Sequence, residues 1–153
     1  YRAILASRPG ATAVVTDVCV PISALAQAVE ETRADIAQSG LPGPILGHVG
    51  DGNFHAILLI DPTDPQETTT AKALATRMAE RALGLGGTIT GEHGVGVEKL
   101  ASMCVQFSAE ENEQMFAVKR AFGGDHGFAK SSQNDGNGSA THLGERSGNG
   151  VGV

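Results

Sequence analysis

The sequence predicts an α+β fold: an antiparallel sheet covered by amphipathic helices, with a disordered tail rich in Gly, Ser and Asn. Three observations predict it. Residues 12–20 and 44–60 are strand-like runs, the second turned back on itself at an Asp-Gly pair. Residues 23–38 and 65–85 carry apolar side chains at helical spacing. From residue 123 to 153 the composition shifts to Gly, Ser, Asn and Asp, with almost no aliphatic side chain. Such a segment buries too little apolar area to offset its ordering entropy. One domain, residues 1–122, and a tail, residues 123–153, are the expected organisation.

Residues 1–11 hold a turn signal, Ser7-Arg8-Pro9-Gly10. Residues 12–20 are rich in Val and Thr and read as a strand that Pro21 ends. Its one charge, Asp17, either orients a neighbouring ligand, faces solvent or caps a neighbour. Ser23 opens a helix to Gln38, with Ile22, Leu25, Val29 and Ile36 on the apolar face and Glu30, Glu31, Arg33 and Asp35 on a solvated one. Gly40 stops it. After the hairpin, Asp64 and Glu67 form a capping-box-like pattern with Pro65 at the first helical position. That helix carries Ala71, Leu74, Ala75, Met78, Ala82 and Leu85 inward and ends at Gly86-Gly87. Residues 88–90 read as a short strand and 98–104 as a short helix. Ser108 and Glu111 make a second capping box, and the helix it starts is expected to turn Met115, Val118 and Phe122 inward.

The chain has 153 residues, a size for one core, and a net charge of −6. Without basic clusters it offers no electrostatic reason to bind nucleic acid or an anionic membrane. It has no apolar run of transmembrane length and no signal-peptide pattern. Two cysteines, Cys19 and Cys104, make no disulfide framework; a reduced, cytoplasmic setting with both as small buried side chains is the simplest reading. Tyr1 is not expected to be the natural start.

The chemistry concentrates in two glycine-rich stretches. The first is Gly47-His48-Val49-Gly50-Asp51-Gly52-Asn53-Phe54-His55. A two-residue type I′ turn at Asp51-Gly52 sets Val49 opposite Phe54 and His48 opposite His55 on one face, with Cβ atoms roughly 4.5–5.5 Å apart. Two neutral imidazoles so placed suit one metal ion. The second stretch is Gly86-Gly87-Thr88-Ile89-Thr90-Gly91-Glu92-His93-Gly94-Val95-Gly96. Glu92 is the candidate third ligand. His93 falls beside the metal without binding it, the place of a general base. Two imidazoles and a carboxylate suit Zn²⁺ or Mn²⁺, with Fe²⁺ left open. Asn53 either flanks the turn or donates to a substrate. His126 and His142, in the tail, are not expected to bind metal in a defined site.

Together these two motifs resemble the C-terminal domain of the FAD-linked 2-hydroxyacid dehydrogenases, over residues 1–122. The family includes the cytochrome-type D-lactate dehydrogenases, the flavin subunit of glycolate oxidase and the D-2-hydroxyglutarate dehydrogenases. Thr16-Asp17-Val18-Cys19-Val20-Pro21-Ile22-Ser23 is most similar to the D-lactate branch. The hydroxyglutarate branch tends to carry a substrate-binding Lys where this chain has Val15. Met103-Cys104-Val105-Gln106-Phe107 is closer to the glycolate oxidase subunit, so both branches stay open.

The resemblance implies metal-assisted oxidation of a small D-2-hydroxy acid to a 2-oxo acid, with His93 as base, Asn53 on the substrate and hydride transfer to FAD. Electrons would pass on to cytochrome c, a quinone or an electron-transfer flavoprotein, with membrane association at most peripheral, at the inner membrane. The FAD domain is expected to precede Tyr1, and no flavin contact is assigned within this chain. The family's substrate-holding Arg also falls upstream; Arg2 and Arg8 are not obvious replacements. After Phe122 the family's Asp-Pro and Asn-Pro-Gly-Lys elements are missing, which points to a truncated or frame-shifted reading. The chain alone is expected to bind no FAD tightly and to show no dehydrogenase activity. A glycolate oxidase flavin-subunit fragment, a metal-dependent hydrolase and an inactive metal-binding fragment are the alternatives.

Overall fold

The computed structural model describes residues 1–48, 50–96 and 99–123. The expectations for Val49, Glu98 and the tail, His126 and His142 included, lie outside the described residues. No helix among the described residues is long and apolar enough to cross a membrane.

Four strands, β1 (Thr12–Val15), β2 (Val18–Cys19), β3 (Ile45–His48) and β4 (Asn53–Ile60), form one antiparallel sheet with β4 at its centre. β1 and β2 share one edge of β4 and one register: Val15 lies opposite Ile57 and Val18 opposite Phe54. The strand expected over 12–20 is thus a single path broken at Thr16 and Asp17. The break is local. Ala56 N donates to Thr16 Oγ1 (2.8 Å) instead of to the Thr16 carbonyl, which is left to turn elsewhere.

β3 occupies the other edge of β4, pairing Leu46 with His55, Gly47 with Phe54 and His48 with Asn53. The expected pairing of His48 with His55 is therefore two residues out. A type I′ turn needs positive φ at both central residues, yet Asp51 does not adopt it, and only Gly52 does (φ 75°). The connection is instead closed by Asp51 N donating to His48 O (2.9 Å). Gly52 is docked on the end of β2: Val20 N donates to its carbonyl (3.0 Å), and a Cβ there would strike Val20 O. Because side chains alternate with period two, an even slip leaves every residue on its expected face.

One face of the sheet is the core. Val18, Phe54, Ala56, Leu58 and Ile60 point into it, beneath α2 (Ile22–Ser39) and α3 (Pro65–Gly84). α2 contributes Leu25, Ala28, Thr32 and Ile36; α3 contributes Ala71, Leu74, Met78 and Ala82. Ile22 departs from the expected stripe and is exposed in the first turn. Ser23 makes no cap, since Pro21 is the N-cap residue, whereas Gly40 closes the helix in the left-handed conformation (φ 75°). The charges of α2 are not all solvated: Arg81 of α3 donates to Glu31, Thr32 and Asp35, and Arg77 to Asp35. Asp64 caps α3 through Gln66 N (2.8 Å). Glu67 does not complete a capping box; it accepts from Asp61 N and holds Arg8 through two bonds.

The remaining elements are smaller. α1 (Arg2–Ala6) precedes the turn expected at residues 7–10. The strand expected at 88–90 shrinks to one bridge between Cys19 and Thr88, because Ile89 N turns to Gln106 Oε1 (3.0 Å). α4 (Leu100–Gln106) leads to α5 (Ala109–Gly123), which opens with the reciprocal Ser108–Glu111 box. Met115, Val118 and Phe122 are exposed, contrary to expectation. Among the described residues α5 packs chiefly against the short helix α4, which leaves these three side chains uncovered. Cys104 is likewise exposed, and Cys19 is half-buried with its thiol on Asp51 O.

Leu58 is fully buried at the centre of this core. Leu58→Ala is expected to destabilise the domain by about 2–5 kcal/mol, through lost transfer energy and a residual cavity. Urea denaturation followed by circular dichroism measures it.

Candidate metal centre

The second face of the sheet carries the polar residues. His55 and Asn53 stand on it from β4, and His48 from the end of β3. Continuing the β1–β2 register places Asp17 opposite His55 on the other side. His48 and His55 are diagonal neighbours, with ring centroids 6.5 Å apart and rings nearly perpendicular at 88°. His55 is buried, while His48 reaches into solvent.

The segment after the Thr88 bridge bends over this face and brings Glu92 and His93 to it. Glu92 Oε1 lies 3.0 Å from His55 Nε2, 3.7 Å from His48 Nε2 and 3.6 Å from His93 Nε2. One carboxylate oxygen thus sits among three imidazole nitrogens. His93 stacks on His55, centroids 4.7 Å apart and planes within 7°. Ligand atoms of His48, His55 and Glu92 all lie within 4.8 Å of one another.

The bend is held by Asp17. Its Oδ2 accepts from Thr90 Oγ1 (2.6 Å) and from the backbone N–H groups of Gly91 (2.9 Å), Glu92 (3.1 Å) and His93 (2.9 Å). Its Oδ1 accepts from Asn53 Nδ2 (2.8 Å). Lys99 Nζ donates to the Asp17 carbonyl (2.7 Å) and to Ile89 O (2.8 Å), pinning the same segment from below. Gly91 abuts the Asn53 amide so closely that a Cβ there would overlap it. Successive N–H groups converging on one oxygen form an anion nest, here occupied by the protein's own carboxylate.

The strand break at Thr16 now has a use. Its freed carbonyl lies 3.1 Å from His55 Nδ1. An N–H at Nδ1 donating there leaves the Nε2 lone pair facing Glu92, the tautomer a metal ligand requires. Asn53, the expected substrate donor, also bonds within this face. Its amide nitrogen already serves Asp17 Oδ1 and Val18 O (3.1 Å), and its Oδ1 is buried without a partner. Arg8 is committed to Glu67 and Leu59 O.

The donor set fits a small divalent ion. Two ligand atoms each about 2.1 Å from a tetrahedral ion lie roughly 3.4 Å apart, and the His55–Glu92 and His48–Glu92 separations of 3.0 and 3.7 Å straddle that value. Asp17, His55 and His93 also cluster, but the Asp17 oxygens are occupied by the donors above. Asp17 and Lys99 are what sequence reasoning left open or missed. A lone Asp in a Val/Thr strand was the only signal for the first, and the second had none.

Burial pushes the Asp17 carboxyl up, but the bonds from Thr90, His93 N, Asn53 and Gly91 N outweigh it and hold the group well below the usual carboxylate range. The folded state therefore binds this proton more weakly than the unfolded chain. The stabilisation is complete above the unfolded value near ~3.9 and is lost as pH falls from there through the folded value. Urea midpoints measured from pH 7 to pH 3 should fall below about pH 4 in the native chain, and less steeply in Asp17→Asn.

The family profile described as "FAD linked oxidases, C-terminal domain" matches residues 2–126. The probable mitochondrial D-lactate dehydrogenase of Danio rerio is 52% identical over 101 residues, 66% of this chain and 20% of that protein. The mitochondrial D-lactate dehydrogenase [cytochrome] of Arabidopsis thaliana is 36% identical over 118 residues, 77% of this chain and 21% of that protein. Glycolate oxidase subunit GlcD of Escherichia coli K12 is 44% identical over 75 residues, 49% of this chain and 15% of that protein. The chain spans about a fifth or less of the length of these curated relatives. It belongs to the FAD-linked oxidases, and the part of them that it represents is their C-terminal domain.

Proposed function

We propose that this chain is the metal-carrying portion of an FAD-dependent D-2-hydroxyacid dehydrogenase of the D-lactate type, with residues 1–122 as its functional domain. The observation that carries the reading is the convergence of three imidazole Nε2 atoms on Glu92 Oε1. The similarity to proteins named D-lactate dehydrogenase over most of the chain favours that branch over glycolate oxidase.

His48 Nε2, His55 Nε2 and a Glu92 oxygen would hold the ion, Zn²⁺ or Mn²⁺ by donor type. Ring geometry separates ligands from base. The lone pair of an imidazole lies in its ring plane. The planes of His48 and His55 cross at 88°, so both can aim at one point. The planes of His55 and His93 run parallel and stacked, so their lone pairs do not converge. His93 is therefore the imidazole left to accept a proton. When bound, the metal supplies Lewis acidity that lowers the pKa of a substrate hydroxyl, and a flavin held by the rest of a full-length relative supplies the hydride acceptor.

His93 Nε2 takes the hydroxyl proton of a D-2-hydroxy acid. Its stacking on His55 fixes where that proton is received. Val15 and Ile57, paired across the strands next to Asp17 and His55, present an apolar neighbourhood that suits a small substrate side chain. The acceptor of the electrons is a cytochrome by analogy with the relatives' names.

Titration calorimetry of the metal-free chain with Zn²⁺ or Mn²⁺ tests the site. One ion should bind, His48→Ala, His55→Ala and Glu92→Ala should each weaken it at least tenfold, and His93→Gln should leave it within about threefold. A chain that binds no ion, or loses it only with His93→Gln, overturns the assignment. For the chemistry, a chimera carrying this chain in place of the matching segment of the Danio rerio relative should oxidise D-lactate. His93→Gln in it should lower kcat by about 10²–10⁴, the usual contribution of a general base.

A further inference from the structure

We propose that Asp17 is the positioning residue of the metal centre: it is buried beneath the site, lies beside His55 Nδ1, bonds the Glu92 and His93 backbone, and sets where Glu92 and His93 stand relative to the hairpin histidines. This rests on the metal reading above. Asp17 is 1% exposed, so its charge must be met by donors from the protein. Four of those donors come from one short stretch, Thr90 Oγ1 and the N–H groups of Gly91, Glu92 and His93. Among the described residues, no other hydrogen bond anchors the backbone of Gly91, Glu92 and His93 to the sheet.

The same residue faces the other half of the site. Asp17 Oδ1 receives the Asn53 amide and lies 3.5 Å from His55 Nδ1. The two motifs are far apart in the chain and meet at a single carboxylate. Glu92 can reach His55 Nε2 at 3.0 Å only because its own N–H is tied to Asp17. His93 can stack on His55 only because the next N–H is tied to the same oxygen. Gly91 allows the approach, since any side chain there would meet the Asn53 amide. Asp17 thus sets the separation between ligand, base and hairpin.

The test compares the native chain with Asp17→Asn and Thr90→Val, the second keeping the carboxylate and removing one donor from Oδ2. Zn²⁺ affinity is measured by calorimetry well below each melting temperature, together with amide hydrogen exchange at residues 91–93. Asp17→Asn should weaken Zn²⁺ binding by about 10–100-fold and Thr90→Val by a smaller factor, and both should speed exchange at those three amides. A merely structural role would lower the melting temperature and leave the affinity of the folded variant unchanged; that result overturns the proposal. If Asp17→Asn does not fold, native affinity and native exchange in Thr90→Val overturn it alone. If the native chain binds no Zn²⁺, the metal reading fails, and unchanged exchange at residues 91–93 in the variants then separately overturns the positioning role.

Discussion

A carboxylate buried in the fold is an unstable arrangement unless the protein supplies its hydration shell in fixed form. Asp17 is that carboxylate, and its shell is a glycine-flanked bend that would otherwise be a loop with unpaired N–H groups. Each partner needs the other. The bend satisfies the charge, and the charge gives the bend a single conformation. Lys99, reaching up to the Asp17 and Ile89 carbonyls, closes the bracket on its open side. The placement of Glu92 and His93 follows from this exchange.

The sheet divides the work between its faces. On one side Val18, Phe54, Leu58 and Ile60 meet two helices and form the core. On the other, the same strands carry Asp17, Asn53, His55 and His48. β4 is buried along its whole length, so His55, the buried histidine of the cluster, stands on the central strand of the sheet. His48, at the loop end of an edge strand, is exposed. In the proposed site one ligand would be preorganised by burial and by the Thr16 carbonyl on its other ring nitrogen, and the other would stay open to solvent, a combination that would let an ion enter a formed site.

Helices α2 to α5, the hairpin, the two caps at Asp64 and Ser108, and the face shared by His48 and His55 were legible in the sequence because each rests on local chemistry or on a regular period, whereas α1 had no such signal. The register was not. Asp-Gly favours a two-residue turn, but Gly52 is claimed by Val20 across the sheet, a tertiary contact no local signal carries. The inward Met115, Val118 and Phe122 failed for a related reason: a periodic stripe says which residues share a face, not whether anything covers it. The clustering of His48, His55 and Glu92 was readable from residue type and glycine context, whereas the bonds of Asp17 reach 73 residues and more along the chain. The bond from the Asn53 amide to that same carboxylate spans 36 residues and has no local signal either.

The central claim is that His48, His55 and Glu92 surround one cation while His93 stays out of its coordination. X-ray absorption at the zinc edge of the zinc-loaded chain measures this most directly. The account predicts two imidazole nitrogens and one carboxylate oxygen at about 2.0–2.2 Å, with one imidazole lost in His55→Ala and none lost in His93→Gln. A spectrum without imidazole scattering, or one in which His93→Gln removes a ligand, would contradict it.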